Sequence, residues 1–397
     1  MNSGINAQKR HYLRPLITLA YLALVVYGSL YPMSNWRLPE NDDWWTLFDV
    51  TARYMPRSDY VTNFLVYMPL GVLIAISLRS RFPPVRLILV SVLLMSILSL
   101  TLEWLQIFLP RVPSLIDSGL NMAGGFIGTL IAYFTGRHSI TGAWLREKRC
   151  NWFAHGRFAD LALATLGIWA LSVTSPLIPV SGLAELTDRL QLFSHTSHWL
   201  IYPNMAINVL AVGFILSFIS VNFRSFWPLY IVFVFVILFL RLFVMDTQMD
   251  LAIWFMAIIG MLLCGGLLLL DIERQAAIVM TLLVVSYLMT HFLQPDYVSH
   301  GKLINWLPFD QQIGKIQRFA EILQVFFVFL SLSFCAIAFR PRNDFNFGMI
   351  GGFMVVFVVL LLESQDTVVD VTEILLALGA WTIPWLHPEI RKGPTLY

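Results

Sequence analysis

The sequence predicts an all-α fold, a polytopic transmembrane helical bundle of about twelve helices arranged as three four-helix repeats. Three observations carry this. Of the 397 residues, 58% are hydrophobic and only 13% charged, about half the roughly 25% charge of a soluble domain. Apolar runs such as Val85 to Leu109, Pro228 to Val244 and Gly348 to Leu362 recur along the whole length, each approaching the ~20 residues that cross a hydrocarbon core. Lysines and arginines concentrate in alternate loops, as topology requires of a chain that crosses repeatedly.

In chain order, Met1 to Arg14 is polar and basic, and the run behind it has no small-residue cleavage site. It reads as a retained first helix over 13–32, not a signal peptide. Between Leu38 and Asp59, Trp44, Trp45, Leu47 and Phe48 are spaced as an interfacial helix with an aromatic belt. Spans follow at 60–79, 85–109 and 115–135. The basic run through Arg137, Arg146, Lys148, Arg149 and Arg157 is a topology anchor that attracts anionic lipid heads. Further spans are expected at 158–178, 199–219, 228–245, 249–270, 276–293, 319–339, 346–363 and 369–386.

An even count puts both termini on one side. That side carries Lys9, Arg10, Arg14, Arg79, Arg81, Arg86, the 137–157 cluster, Arg224, Arg274, Arg340, Arg342, Arg391 and Lys392, so both termini are expected in the cytoplasm.

The spans divide into sets of four at 1–136, 137–275 and 276–397. Each set opens with a helix that ends in a proline-containing outer turn: Gly28 to Pro32, Thr174 to Pro179, and His291 to Pro295. Aligning Phe48-Asp49 with Phe309-Asp310 carries Asn63 onto Gln324, while Asn208 and Gly213 fall near Asn63 and Gly71. Units of even helix number insert in one orientation, as parallel repeats.

Composition also excludes. A net charge of +2 offers no basic field for nucleic acid. Cys150, Cys264 and Cys335 have no zinc or CxxC spacing, and no disulfide framework is implied. His195 and His198 stand i,i+3 without a third ligand. No metalloprotease, nucleophile-elbow, P-loop or dinucleotide motif is present, so no cofactor or metal is expected.

Ionisable groups inside a bilayer cost roughly 2.5–3.5 kcal/mol each even on a lenient scale, and so mark function or pairing. They gather at the outer helix ends. Glu103 and Gln106 are i,i+3; Asp117 and Asn121 are i,i+4; each pair shares a helix face across a short turn that holds Arg111. Arginine bridges carboxylates or takes a phosphate, so an internal ion-pair network and a ligand site are both open readings. Asp59, Asn63 and Tyr67 recur every four residues before Pro69 and Gly71, a polar stripe that lines a cavity or glues helices. The matching turns carry Arg241, Asp246, Gln248 and Asp250, then Glu363, Gln365, Asp366, Asp370 and Glu373.

The order Asn63-x3-Tyr67-x-Pro69-Leu70-Gly71, then Glu103-x2-Gln106-x4-Arg111-x5-Asp117-x3-Asn121-x2-Gly124-x3-Gly128, resembles the VanZ-like family of bacterial membrane proteins over residues 13–136. The resemblance implies a helical bundle in the bacterial cytoplasmic membrane. Members are associated with glycopeptide resistance and with cell-envelope polymer loci, and the family's biochemical activity is not settled. The later sets depart from the pattern: Trp254 stands where the asparagine would be if Asp250 matches Asp117, and Ile374 replaces it after Asp370.

Three functions follow as expectations. The first is a non-enzymatic envelope protein whose outer-leaflet polar cavity, lined by Asn63, Tyr67, Glu103, Gln106, Arg111, Asp117 and Asn121, holds a membrane lipid, a lipid-linked envelope precursor or a segment of an envelope-assembly protein. The second is a membrane enzyme on a lipid-linked phosphate, with Glu103 or Asp117 as base and Arg111 on the phosphate. The third is a transporter or flippase, disfavoured because the carboxylates sit at one end and not at the midplane.

Overall fold

The computed structural model describes residues 18–19, 21–31, 33, 36–39, 57–110, 113–136, 139–180, 182, 185–187, 202–245, 250–292, 303–305, 308–309, 319–339, 345–363 and 368–391. It resolves into two compact units, Met1–Lys148 and Arg149–Tyr397. The expected interfacial helix around Trp44, Trp45, Leu47 and Phe48, Pro32, the Phe48-Asp49 and Asp310 register, and His195, His198 and His300 lie outside the described residues.

The first unit holds α1 (Tyr21–Leu30), α2 (Arg57–Leu78), α3 (Pro84–Gln106) and α4 (Leu115–Phe134), followed by α5 (Ile140–Trp152), which runs across the boundary. Pro83 and Pro84 open α3, where a missing N–H is harmless and the fixed φ suits the first turn. Ser114 caps α4 by accepting the Ile116 N–H at 3.2 Å.

Glycines decide how α2 and α4 meet. A Cβ on Gly71 would stand 2.1 Å from the Gly125 carbonyl oxygen; one on Gly124, 2.0 Å from that of Phe64; one on Gly128, 1.9 Å from that of Met68. The two backbones therefore touch, as small residues allow in membranes. Val25, Leu30, Tyr67, Leu70, Met95, Leu102 and Leu109 form the core. α1 is tied to α2 by Tyr21 Oη, which donates to the Val66 carbonyl at 3.0 Å.

The second unit contains α6 (Arg157–Thr174), α7 (Pro203–Ile219), α8 (Phe223–Arg241), α9 (Leu251–Leu267), α10 (Ile272–Phe292), β1 (Leu303–Asn305), α11 (Phe319–Phe339), α12 (Phe345–Glu363), β2 (Val368–Asp370), α13 (Val371–Leu386) and α14 (Pro388–Arg391). α7 and α11 are the most enclosed. Their Phe214 and Phe327, with Trp169, Phe226 and Tyr230 of α6 and α8, are all almost wholly buried. β1 and β2 pair in parallel, Leu303 opposite Val368 and Asn305 opposite Asp370. This three-residue ladder satisfies loop backbone groups and leaves the fold all-α.

Among the described residues there are fourteen helices, not twelve. A helix lies in each of the twelve apolar segments, and the two extra ones, α5 and α14, fall outside them. Seven are long and apolar enough to cross a membrane: Asp59–Leu78, Pro84–Gln106, Leu115–Phe134, Arg157–Thr174, Arg224–Arg241, Ile272–Thr290 and Phe319–Phe339. The chain is a multi-pass membrane protein. Five apolar helices are shorter, Tyr21–Leu30, Pro203–Ile219, Leu251–Leu267, Asn346–Leu360 and Val371–Leu386. Pro203 at the first turn and the Asp250 cap cut two of them to 17 residues, about 26 Å at 1.5 Å per residue, short of a ~30 Å core.

Candidate functional site

Within the first unit, α2, α3 and α4 bring six of the seven sequence-predicted residues to one end of the bundle, in two layers. The outer layer is carboxylate-centred. Asn63 Nδ2 donates to Asp117 Oδ1 at 2.7 Å, and Glu103, only 4% exposed, accepts the Ser114 backbone N–H at 2.8 Å. Asp117 occupies the first turn of α4. Both carboxylates are thus held by donors, as the cost of burying charge in a bilayer requires.

The inner layer follows from helical periodicity, because Tyr67 is four residues past Asn63 and Asn121 four past Asp117. Asn121 Nδ2 donates to Ser99 Oγ at 2.9 Å, and Ser99 donates on to Ser118 Oγ at 3.4 Å. Tyr67, 2% exposed, lies next to Ser99 and Glu103. Two buried atoms here, Tyr67 Oη and Asn121 Oδ1, have no hydrogen-bond partner among the described residues.

Gln106 has a different role from the one its spacing suggested. Its Nε2 donates to the Ser29 carbonyl of α1 at 3.0 Å, closing the end of α3 onto α1. Arg111 lies outside the described residues. Ser99, Ser114 and Ser118 hold the layers together; the first and last were missed as site residues. Their only sequence signal is spacing, Ser99 standing one turn before Glu103 and Ser118 directly after Asp117.

The turns expected to match differ in register. Asp250 caps α9 by accepting the Ala252 N–H at 3.0 Å, with φ −136° and ψ 137°, close to the φ −145° and ψ 128° of Ser114. Asp250 therefore stands at Ser114's place, not Asp117's. Arg241, the last residue of α8 as Gln106 is of α3, lies with Asp250 close to Tyr202. Further along, Tyr287 donates to Glu373 at 2.6 Å. Asp246, Gln248, Gln365, Asp366 and the side chains of Glu363 and Asp370 lie outside the description.

Among the described residues, no group of three or more His, Cys, Asp and Glu side chains could hold a metal ion. Cys264 and Cys335 are free and buried, Cys150 free and exposed.

The glycine-packed α2–α4 pair, the Asn63–Asp117 bond and the Glu103 cap all fall within residues 16–136, which match the VanZ/LLP1 family model. Residues 16–136 are a VanZ-like unit. That match covers just under a third of the chain. Neither a curated relative nor a solved structure matches the chain. The VanZ-like unit thus carries the acidic, two-layered end of the bundle, while the second unit carries the displaced caps.

Proposed function

We propose that this is a VanZ-like protein of the bacterial cytoplasmic membrane whose first unit binds the polar head group of an envelope amphiphile, a membrane lipid or a lipid-linked precursor, at the outer leaflet. One observation carries the reading: Glu103 and Asp117 are drawn to one end of α2–α4 together with Asn63, Tyr67 and Asn121, of which Tyr67 and Asn121 keep buried polar atoms unpartnered. A purely structural polar cluster in lipid would satisfy itself. Arg111, expected in the turn that joins α3 to α4, supplies the cation for a head-group phosphate. Both termini are cytoplasmic in this reading.

We also propose that the chain is built from three parallel four-helix units. The loop after each first helix bonds to the turn after the third: Arg37 N–H to the Phe108 carbonyl at 2.8 Å, Val180 N–H to that of Phe243 at 3.0 Å, and β1 to β2. In the second unit α6 meets α11 through Ser172 Oγ to Gln324 Oε1 at 3.4 Å, and α10 meets α7 through Ser286 Oγ to Asn204 Oδ1 at 2.7 Å. Such exchanged contacts are what an approximate two-fold between two four-helix sets would leave, and they support the reading. Among the described residues the two-layered acidic end lies in the first set, and in this reading the other two sets are scaffold.

Native mass spectrometry of the detergent-solubilised full chain tests the binding role. The wild type is expected to retain an amphiphile that Asp117→Asn and Arg111→Ala lose by fivefold or more while both variants remain folded. A bare wild type, or equal retention by all three, overturns it. A retained protein segment in place of a lipid would redirect it to an assembly partner.

A further inference from the structure

The inner layer of the VanZ-like site specifies which chemical group the ligand presents to it. Asn121 spends one amide proton on Ser99 Oγ, and Ser99 spends its proton on Ser118. Asn121 Oδ1 is left as a pure acceptor in want of a proton. Tyr67 Oη, beside the same Ser99, can both give and take one.

Leaving either atom unmatched in a water-poor interior costs the desolvation of that group, so the complementary guest is defined by capacity. A phosphate or ketone oxygen accepts only, and cannot serve Asn121 Oδ1. An ammonium donates only: it can serve Asn121 Oδ1 and a lone pair of Tyr67 Oη, but it leaves the tyrosine proton without an acceptor. A hydroxyl does both at a single oxygen. Resting on the head-group reading above, we infer that the floor formed by Tyr67, Ser99, Ser118 and Asn121 recognises a hydroxyl group of the bound amphiphile, from a sugar or a glycerol head, which donates to Asn121 Oδ1 and accepts from Tyr67 Oη. The outer layer, with its carboxylates one helical turn away, borders the rest of the head.

The test uses the full chain in detergent and native mass spectrometry with four lipids of equal acyl chains: phosphatidylglycerol, its hydroxyl-free analogue phosphatidylpropanol, phosphatidylethanolamine and monoglucosyl-diacylglycerol. The two hydroxylated lipids are expected to be retained at least fivefold more than the other two, and their ratio to each other tells sugar from glycerol. Tyr67→Phe and Asn121→Leu are expected to bring the preference for phosphatidylglycerol over phosphatidylpropanol below twofold. Because Asn121→Leu also removes the bond to Ser99, the milder Tyr67→Phe decides if the leucine variant misfolds. Equal retention of phosphatidylglycerol and phosphatidylpropanol, or a preference that survives Tyr67→Phe, overturns the inference and assigns the floor to an ordered water of the same hydrogen-bonding capacity. Retention of no lipid at all by the wild type is the separate result that removes the head-group reading itself.

Discussion

Hydrogen bonds between single side chains divide the molecule into costly and cheap positions. Tyr287 donates to Glu373 at 2.6 Å from a site only 8% exposed. Tyr287→Phe removes the donor and leaves the carboxylate short of it, which costs about 1–3 kcal/mol and lowers the melting temperature in detergent. The ion pair of Arg149 with Asp160, 2.5 Å long, has side chains 27% and 64% exposed. Solvent screening holds its worth below about 1 kcal/mol, so Asp160→Asn is expected to shift the melting temperature little and less again at high salt. A large, salt-independent loss would contradict this. In the candidate site, Asn63, Tyr67, Glu103, Asp117 and Asn121 were legible because charges and amides at i,i+4 stand out against an apolar helix. Ser99 and Ser118 were not, since a serine within a transmembrane run bonds its own helix as readily as a ligand shell.

Between helices, the α2–α4 contact sets the tolerance to a single methyl group. At Gly128 an added Cβ meets backbone, which cannot swing aside, whereas at Gly119 on the same helix nothing lies within 4 Å. Gly128→Ala is expected to destabilise the first unit by about 1–3 kcal/mol through overpacking. Gly119→Ala stabilises by up to about 1 kcal/mol through reduced backbone freedom in the unfolded chain. Opposite shifts in thermal melting of the two variants check the pair. Helix positions were readable from apolar run length; helix ends were not, because caps such as Ser114 and Asp250 act through one bond that hydropathy does not register. α5 was hidden for the opposite reason. Its arginines and lysine read as a linker, yet Arg146 folds back to donate to the Gly136 carbonyl at 3.3 Å, and Lys148 covers the Trp144 ring at 6.0 Å.

For the whole molecule, the division into compact units falls between Lys148 and Arg149, because α5 returns onto the end of α4 through contacts such as Gly142 against Gly136. The cysteines report on the second unit alone. Cys150 is exposed and is expected to react with a maleimide in the folded protein, while Cys264 and Cys335 are fully buried and react only on unfolding. In Gly128→Ala, heating is expected to melt the first unit before those two thiols label; simultaneous labelling would show that the units unfold as one. A reporter fused after Tyr397 is expected to score as cytoplasmic.

The contacts of Asn63 with Asp117, and of Met68 with Gly128, run in the same order along both helices, so α2 and α4 lie parallel, their beginnings side by side. Aligned peptide dipoles leave partial positive charge at each beginning, and two such ends together make a backbone-derived positive patch that no lysine need supply. Asp59 and Asp117 sit in those first turns. Their negative charge is therefore welcome where a bilayer would otherwise reject it, and neutralising either one should loosen the joint start of the two helices even when nothing is bound.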